Sequence, residues 1–143
     1  LADTGLPARF LELELTESIV MHQAEATIAL LAQLQQMGLS LSIDDFGTGY
    51  SSLSYLRRFP IHKLKIDQSF VRDLPRDPDA AAITAAIVGM GKSLKLRIIA
   101  EGVETAEQLE LLRGLRCDEV QGYLTGAPTS PEDVAALLRR AAA

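Results

Sequence analysis

The feature that most constrains the fold is a regular alternation of strand patterns and helix patterns along all 143 residues. Strands are predicted at 9–17, 39–45, 62–67, 96–103 and 119–123, where apolar and polar residues alternate. Segments with apolar residues at helical spacing separate them. Parallel strands need crossover connections of this kind, whereas antiparallel strands can be joined by hairpins. The alternation therefore predicts a parallel sheet with helical crossovers.

Capping residues indicate where the predicted helices begin and end. The helices are predicted at 24–37, 51–59, 79–94, 106–115 and 132–142. Gly38 is a C-cap after the first, Thr105 and Gln108 have the spacing of a capping box, and Ser130 precedes a proline at a helix start. Residues 68–74 are predicted to form an irregular turn, because prolines follow them directly.

Polar side chains fall on one parity of the strands and apolar side chains on the other. Apart from Ile99, the polar parity comprises Glu12, Glu14, Ser40, Ser42, Asp44, Lys63, Lys65, Asp67, Arg97, Glu101, Glu119 and Gln121. Strands of an open doubly wound sheet are apolar on both faces, so this pattern favours a TIM-like (β/α) barrel with a polar lumen. A half-solvated sheet is the alternative. A closed barrel takes eight strands and about 250 residues, which predicts an incomplete barrel of about five βα units here.

Composition narrows the classes of function. The chain has 14 Lys and Arg against 19 Asp and Glu, a net charge of −5, which argues against binding of long nucleic acid. Cys117 is the single cysteine, so internal disulfides and cysteine zinc sites are excluded and a reducing cytoplasm is expected. The two histidines, His22 and His62, are interpreted as structural, and Cys117 as an inert apolar residue.

Asp44 and Asp45 are adjacent acids at a predicted strand end, and Gly47 and Gly49 follow them. Adjacent carboxylates raise each other's proton affinity, so a divalent cation would neutralise them favourably. The glycines allow a sharp turn that leaves the acids at a rim. Aspartate also caps helices well, so a helix N-terminus is the competing interpretation.

Polar residues at the other strand ends favour a metal site over a helix N-terminus at Asp44 and Asp45. The full set of strand-end residues is Glu14, Asp44, Asp45, Lys65, Asp67, Glu101 and Gln121. Hard oxygen ligands suit Mg²⁺ or Mn²⁺, and two such ions could clamp a phosphodiester with Asp44 as a bridge. Lys65 could orient the attacking water. Each residue alone has a structural explanation, such as a surface ion pair or a helix cap. Because all of them are expected at one rim, it is improbable that a structural explanation holds for every one.

Five motifs in this order and spacing resemble the EAL domain, the bacterial cyclic di-GMP phosphodiesterase family. They are Glu14-Leu15-Thr16-Glu17, Asp44-Asp45-Phe46-Gly47-Thr48-Gly49, Lys65-Ile66-Asp67, Ala100-Glu101-Gly102-Val103-Glu104-Thr105 and Gln121-Gly122-Tyr123. The resemblance covers essentially residues 1–143 and implies a TIM-like barrel that hydrolyses cyclic di-GMP to linear pGpG with two Mg²⁺ or Mn²⁺ ions.

The resemblance also implies a role for each residue. Glu14 and Asp44 would bind the first ion, and Asp44 and Asp45 the second. Lys65 would hold the nucleophilic water, and Glu101 would be a metal-linked base or ligand. The matching supporting positions are Glu17, Asp67, Glu104 and Gln121. The segment Phe46–Leu53 resembles a loop that links metal binding to a homodimer interface, and sensor or GGDEF domains are expected in the full-length protein.

The Glu-Ala-Leu triplet and an asparagine, both metal ligands in the family, do not occur at matching places in this sequence. Residues 1–143 are therefore expected to be the C-terminal part of one EAL domain. Near the end, Thr125 and Ala127 replace an aromatic and a basic residue that are commoner in the family. Two other functions stay open: a degenerate receptor that binds cyclic di-GMP without cleaving it, and a metal-independent scaffold.

Overall fold

The computed structural model describes residues 1–21, 24–49 and 53–141 and shows a five-stranded parallel sheet in the order β1-β2-β3-β4-β5. The strands are β1 (Glu12–Thr16), β2 (Ser40–Phe46), β3 (Lys63–Ile66), β4 (Arg97–Ala100) and β5 (Glu119–Val120). The helices are α1 (Glu17–Met21), α2 (Ala24–Gln36), α3 (Leu53–Leu56), α4 (Gln68–Arg72), α5 (Pro78–Ser93), α6 (Ala106–Gly114) and α7 (Pro131–Ala141), and a 3₁₀ turn spans Ala8–Phe10. The predicted alternation and parallel pairing are confirmed.

Apolar and polar side chains of the strands lie on opposite faces of the sheet, as predicted. The hydrophobic core contains the apolar parity of the three central strands: Leu41, Ile43, Leu64, Ile66, Ile98 and Ala100. These side chains are fully buried under the crossover helices, which carry core residues such as Leu31, Val88 and Leu112. The opposite parity carries the polar side chains and includes the buried Ser42 and Lys65. Because the apolar side chains are buried on one face of the sheet, the polar side chains of the same strands line the other face.

Several predicted boundaries differ from the structure. Residues 68–72 form the short helix α4 rather than an irregular turn, because the Asp67 carboxylate accepts a hydrogen bond from the Ser69 amide at 2.9 Å and caps the helix. Glu17 begins α1 instead of ending β1, and β5 has only two residues. Of the predicted helix 51–59, residues 53–56 are helical, and residues 51 and 52 lie outside the described part of the chain.

Helix caps were predicted well. Thr105 and Gln108 form the reciprocal capping box at the start of α6, and Gly38 has φ +87° two residues after the end of α2 at Gln36. The Ser130 hydroxyl accepts a hydrogen bond from the Asp133 amide at the start of α7. Caps depend on nearest neighbours in sequence, so local chemistry is sufficient to identify them. Within the described ranges, no helix combines the length and apolarity needed to cross a membrane.

Helix α5 contacts β4 closely at one glycine. A Cβ atom at Gly91 would overlap the Ile98 side chain, whereas a Cβ atom at Gly89, two residues earlier, would meet no atom within 4 Å. Both glycines lie within α5, so they share the helix-propensity cost of glycine and differ in packing.

We expect Gly89→Ala to raise the free energy of unfolding by about 0.5–1 kcal/mol, because alanine favours the helix. Gly91→Ala should lower it by about 1–3 kcal/mol, because the added methyl overpacks the contact with Ile98. Urea unfolding of the two variants measures both values. Equal effects of the two substitutions would contradict this packing.

Candidate metal centre

Side chains from four strand ends meet at one ammonium group. The Nζ atom of Lys65, on β3, lies 2.9 Å from Oε2 of Glu14, 3.0 Å from Oδ1 of Asp44 and 2.8 Å from Oε1 of Glu101. The Lys65 side chain is only 5% exposed. Because β1, β2, β3 and β4 are parallel neighbours, their carboxyl ends lie at the same edge of the sheet. We call Glu14, Asp44, Asp45 and Glu101 the carboxylate cluster.

An irregularity in β2 brings Asp45 into this cluster. Neighbouring residues of a regular strand point to opposite faces, so Asp44 and Asp45 could not both face the rim. The pairing of β2 with β3 shifts register between Ile43 and Phe46, and Asp45 has φ +53°. Carboxylate oxygens of Asp44, Asp45 and Glu101 consequently lie within 4.8 Å of one another. The adjacent acids lie in this bulged strand end, and it is Asp67 that caps a helix.

Glu17 supports the turn that follows the two aspartates. Its side chain is 2% exposed, and its Oε2 accepts a hydrogen bond from the Gly47 amide at 3.0 Å. Gly47 has φ +101°, a conformation that glycine adopts readily. A Cβ atom at Gly49 would lie 3.3 Å from the Glu17 carboxyl group. Glu17 thus contacts the turn at both of its glycines.

Electrostatics in the cluster are dominated by crowded acids around one cation. Burial lowers the pKa of Lys65, but hydrogen bonds to three carboxylates outweigh it and raise that pKa above the ordinary lysine value. Burial is the largest influence on Glu101 and, together with the charges of Asp44 and Glu14, it raises the pKa of this carboxyl group against the lowering effect of the hydrogen bond and charge of Lys65. Burial and the charge of Asp44 also raise the pKa of Asp45. One ammonium is therefore insufficient to neutralise the cluster.

The cluster opens into a cavity of about 570 Å³. Asp45 and Glu101 lie at the boundary between the two, and the cavity is also lined by Asp67, Gln68, Gly102, Glu104, Gln121, Gly122, Tyr123, Gly126, Ala127 and Pro128. The structure thus places the predicted residues Asp67, Glu104 and Gln121 around the cavity and not among the ligands of Lys65. Gln68 lines the same cavity, although the sequence offered no separate signal for it.

The remaining side chains considered above lie elsewhere. The His62 Nδ1 atom accepts a hydrogen bond from the Leu41 amide at 3.3 Å, just before β3 begins. The partly buried Cys117 thiol donates to backbone carbonyl groups next to β4 and β5, and burial raises the pKa of this thiol. Phe59 is part of the hydrophobic core, with Tyr55 against it. His22 and Tyr50 lie outside the described residues.

The carboxylate cluster suits a divalent cation. Three of its members offer oxygen atoms close enough to share one ion, and Mg²⁺ and Mn²⁺ prefer such hard oxygen donors. Four carboxyl groups share the single ammonium group of Lys65, so positive charge is locally in deficit. Chemistry and geometry therefore agree on a metal centre at this rim.

We expect Lys65→Met to lower the free energy of unfolding by about 2 kcal/mol in metal-free buffer, because the carboxylates lose the cation that neutralises them. Added Mn²⁺ should restore much of the loss, since the ion replaces the missing charge. Thermal unfolding with and without Mn²⁺ measures both effects.

Lys92→Met is the matched control, because Lys92 pairs with Asp118 in a more exposed ion pair away from the cluster. It should cost less, and Mn²⁺ should not compensate for it. Equal Mn²⁺ responses of the two variants would argue against a metal centre in the cluster.

Comparison with known proteins identifies the family. A sequence model of the EAL domain matches residues 1–128. The chain is 52% identical over 128 residues to the cyclic di-GMP phosphodiesterase NbdA of Pseudomonas aeruginosa, covering 90% of this chain and 16% of that protein. It is also 52% identical over 132 residues to the bifunctional diguanylate cyclase/cyclic di-GMP phosphodiesterase MucR of the same organism, covering 92% and 19%. The chain thus spans less than a fifth of the length of these relatives.

Solved structures agree with the sequence comparison. The PaMucR phosphodiesterase in complex with c-di-GMP is 50% identical with a TM-score of 0.91, covering 94% of this chain and 54% of that one. BlrP1 of Klebsiella pneumoniae, in a manganese and cyclic di-GMP complex, is 37% identical with a TM-score of 0.79, covering 87% and 32%. The five-stranded sheet matches part of the TIM-like barrel of these structures. This chain belongs to the EAL domain family.

Proposed function

We propose that this chain carries the metal-binding and catalytic residues of a phosphodiesterase that hydrolyses cyclic di-GMP to linear pGpG. The observation that carries the proposal is the cluster of Asp44, Asp45 and Glu101 oxygens at the mouth of the cavity, with the Lys65 ammonium paired to Asp44 and Glu101. Similarity to NbdA and MucR, which are named as cyclic di-GMP phosphodiesterases, supports the same substrate.

Two Mg²⁺ or Mn²⁺ ions are the proposed cofactors. Glu14 and Asp44 would hold the first ion and Asp44 and Asp45 the second, with Glu101 as a further ligand or base. When bound, such ions make water acidic enough to attack at neutral pH and neutralise charge on a phosphodiester. The manganese and calcium complexes of BlrP1 with cyclic di-GMP support divalent cations in this family.

Lys65 and Glu101 would take different parts in the hydrolysis. The raised pKa of Lys65 keeps its ammonium protonated, so it acts as a hydrogen-bond donor and not as a base. From its buried position it would hold the attacking water and offset phosphate charge. The Glu101 carboxylate, whose Oε1 lies 2.8 Å from the Lys65 Nζ atom, would receive the proton of that water.

The cavity is the proposed binding site of the nucleotide. Its wall carries the carboxylates of Asp67 and Glu104 and the amides of Gln68 and Gln121. Guanine presents an amino donor and two acceptors at its edges, which such groups can pair with. The acids of the wall would be unfavourable for bare phosphate, so the phosphodiester would lie towards the metal centre.

We further propose that residues 1–143 are the C-terminal part of an EAL domain in a longer signalling protein with sensor or GGDEF domains. The short share of NbdA and MucR that the chain covers supports this arrangement. The two further family ligands, in the Glu-Ala-Leu triplet and an asparagine, would then come from the preceding part of the barrel.

Asp44→Asn in the full-length protein should lower the rate of pGpG formation by at least about a hundredfold, because the proposed bridge between two ions loses its charge. Chromatography of reactions containing cyclic di-GMP and Mn²⁺ measures pGpG. Glu110→Gln is the control, since Glu110 is an exposed acid paired only with Arg113 among the ion pairs of the structure, and it should leave the rate unchanged.

If the wild-type protein binds cyclic di-GMP but forms no pGpG, the proposed phosphodiesterase activity is refuted and a receptor function is favoured. Full activity of the Asp44→Asn variant would refute the proposed metal role.

We also propose a homodimer that forms through the Phe46–Leu53 segment. Leu53 supports it, because this apolar side chain is 58% exposed at the start of α3. Leu53→Asp should shift the protein from dimer to monomer in light scattering, whereas Leu30→Asp, at a comparably exposed leucine on α2, should leave it dimeric. A dimer that persists in Leu53→Asp would exclude this interface.

A further inference from the structure

Gln108 is a buried polar residue with more hydrogen bonds than its place in a helix requires. Its side chain is on the first turn of α6, and the residue is 3% exposed. The Oε1 atom accepts from the amides of Glu104 at 2.7 Å and Thr105 at 3.0 Å. The Nε2 atom donates to the carbonyl oxygens of Val71 at 3.1 Å and Arg72 at 3.2 Å. One side chain thus joins the start of α6 to the end of α4.

The two segments that Gln108 joins are adjacent parts of one wall of the cavity. Helix α4 begins at Gln68, the segment that precedes α6 includes Gly102 and Glu104, and all three residues line the cavity. The two parts touch, because a Cβ atom at Gly102, which has φ +69°, would overlap the Cβ atom of Gln68. Gln108 connects them on the side away from the cavity.

The capping box does not explain why residue 108 is a glutamine, with a side-chain amide nitrogen, and not a glutamate. The box needs an oxygen that accepts from the N-cap amide, and glutamate provides it as well as glutamine does. The two donor bonds to α4 need the amide nitrogen. Helix α4 has only five residues, too few for a stable isolated helix, so its position depends on contacts such as these.

We propose that Gln108 is a positioning residue that holds α4 against the segment 102–105 and so sets the shape of the nucleotide cavity. The effect would fall on nucleotide binding, because Glu14, Asp44 and Asp45 lie on β1 and β2, and Glu101 is tied to β3 through its amide, which donates to the Ile66 carbonyl at 3.1 Å. The substrate part of this inference rests on the proposed function, whereas the fastening of the two wall segments does not.

Gln108→Glu keeps the capping oxygen and removes the two donors to α4, and Gln108→Met removes both sets of bonds without adding charge. In the full-length protein we expect each variant to raise KM for cyclic di-GMP about tenfold, with kcat changed less than about twofold. Mn²⁺ affinity without nucleotide should stay at the wild-type value. Amide exchange should become faster at residues 68–72.

Leu112→Ala is the matched control, because Leu112 lies one turn further on the same helix, is fully buried and makes no hydrogen bond from its side chain. It should lower the melting temperature and leave KM and exchange at 68–72 as in the wild type. The proposal is overturned if the Gln108 variants only lose stability, as Leu112→Ala does, or if their Mn²⁺ affinity falls while KM rises.

A wild-type protein that does not cleave cyclic di-GMP would refute the proposed function and not this role of Gln108. Amide exchange then tests whether Gln108 holds α4 in place. Faster exchange at residues 68–72 in either folded Gln108 variant, but not in Leu112→Ala, supports this role. Unchanged exchange in the Gln108 variants overturns it.

Discussion

The ammonium group of Lys65 holds carboxylates from three other strand ends within hydrogen-bond distance of one buried nitrogen atom. Without a central cation, acids this close would repel one another and draw protons from solvent. The sheet maintains the crowding because each acid is fixed to its own backbone at the same edge. The site therefore depends on charge compensation that one lysine supplies only in part, and this deficit is what makes a divalent ion favourable there.

The same arrangement recurs one layer deeper on the polar face. Lys63, two residues before Lys65 on β3, pairs with Glu12 at 2.7 Å, two residues before Glu14 on β1. The deeper pair is close to neutral, whereas the layer at the rim contains an excess of acids. The difference arises from residue type and also from the register shift in β2, which brings Asp45 to the rim. The excess at the rim distinguishes a binding layer from a structural one.

Most of the fold could be predicted because alternation and caps are local properties. The strand parity placed Glu14, Lys65 and Glu101 on one face, and the parallel order brought them to one edge. The irregular turn predicted at 68–74 was wrong because α4 is stabilised from outside its own sequence, by Gln108 as well as by the Asp67 cap. Non-local hydrogen bonds of this kind leave no periodic signal.

From its own pattern, the sequence determined the parallel architecture, the polar face and the acids that face the rim, because side-chain period and strand direction are sufficient for these. Only the tertiary structure decided that Asp45 turns to the same side as Asp44, since this requires a register shift against β3 and a positive φ at Asp45. It likewise decided that Glu17 binds the turn after the two aspartates and that Gln108 joins two parts of one cavity wall. These contacts connect residues distant in sequence, and their geometry is set by the packing of the whole sheet and its helices.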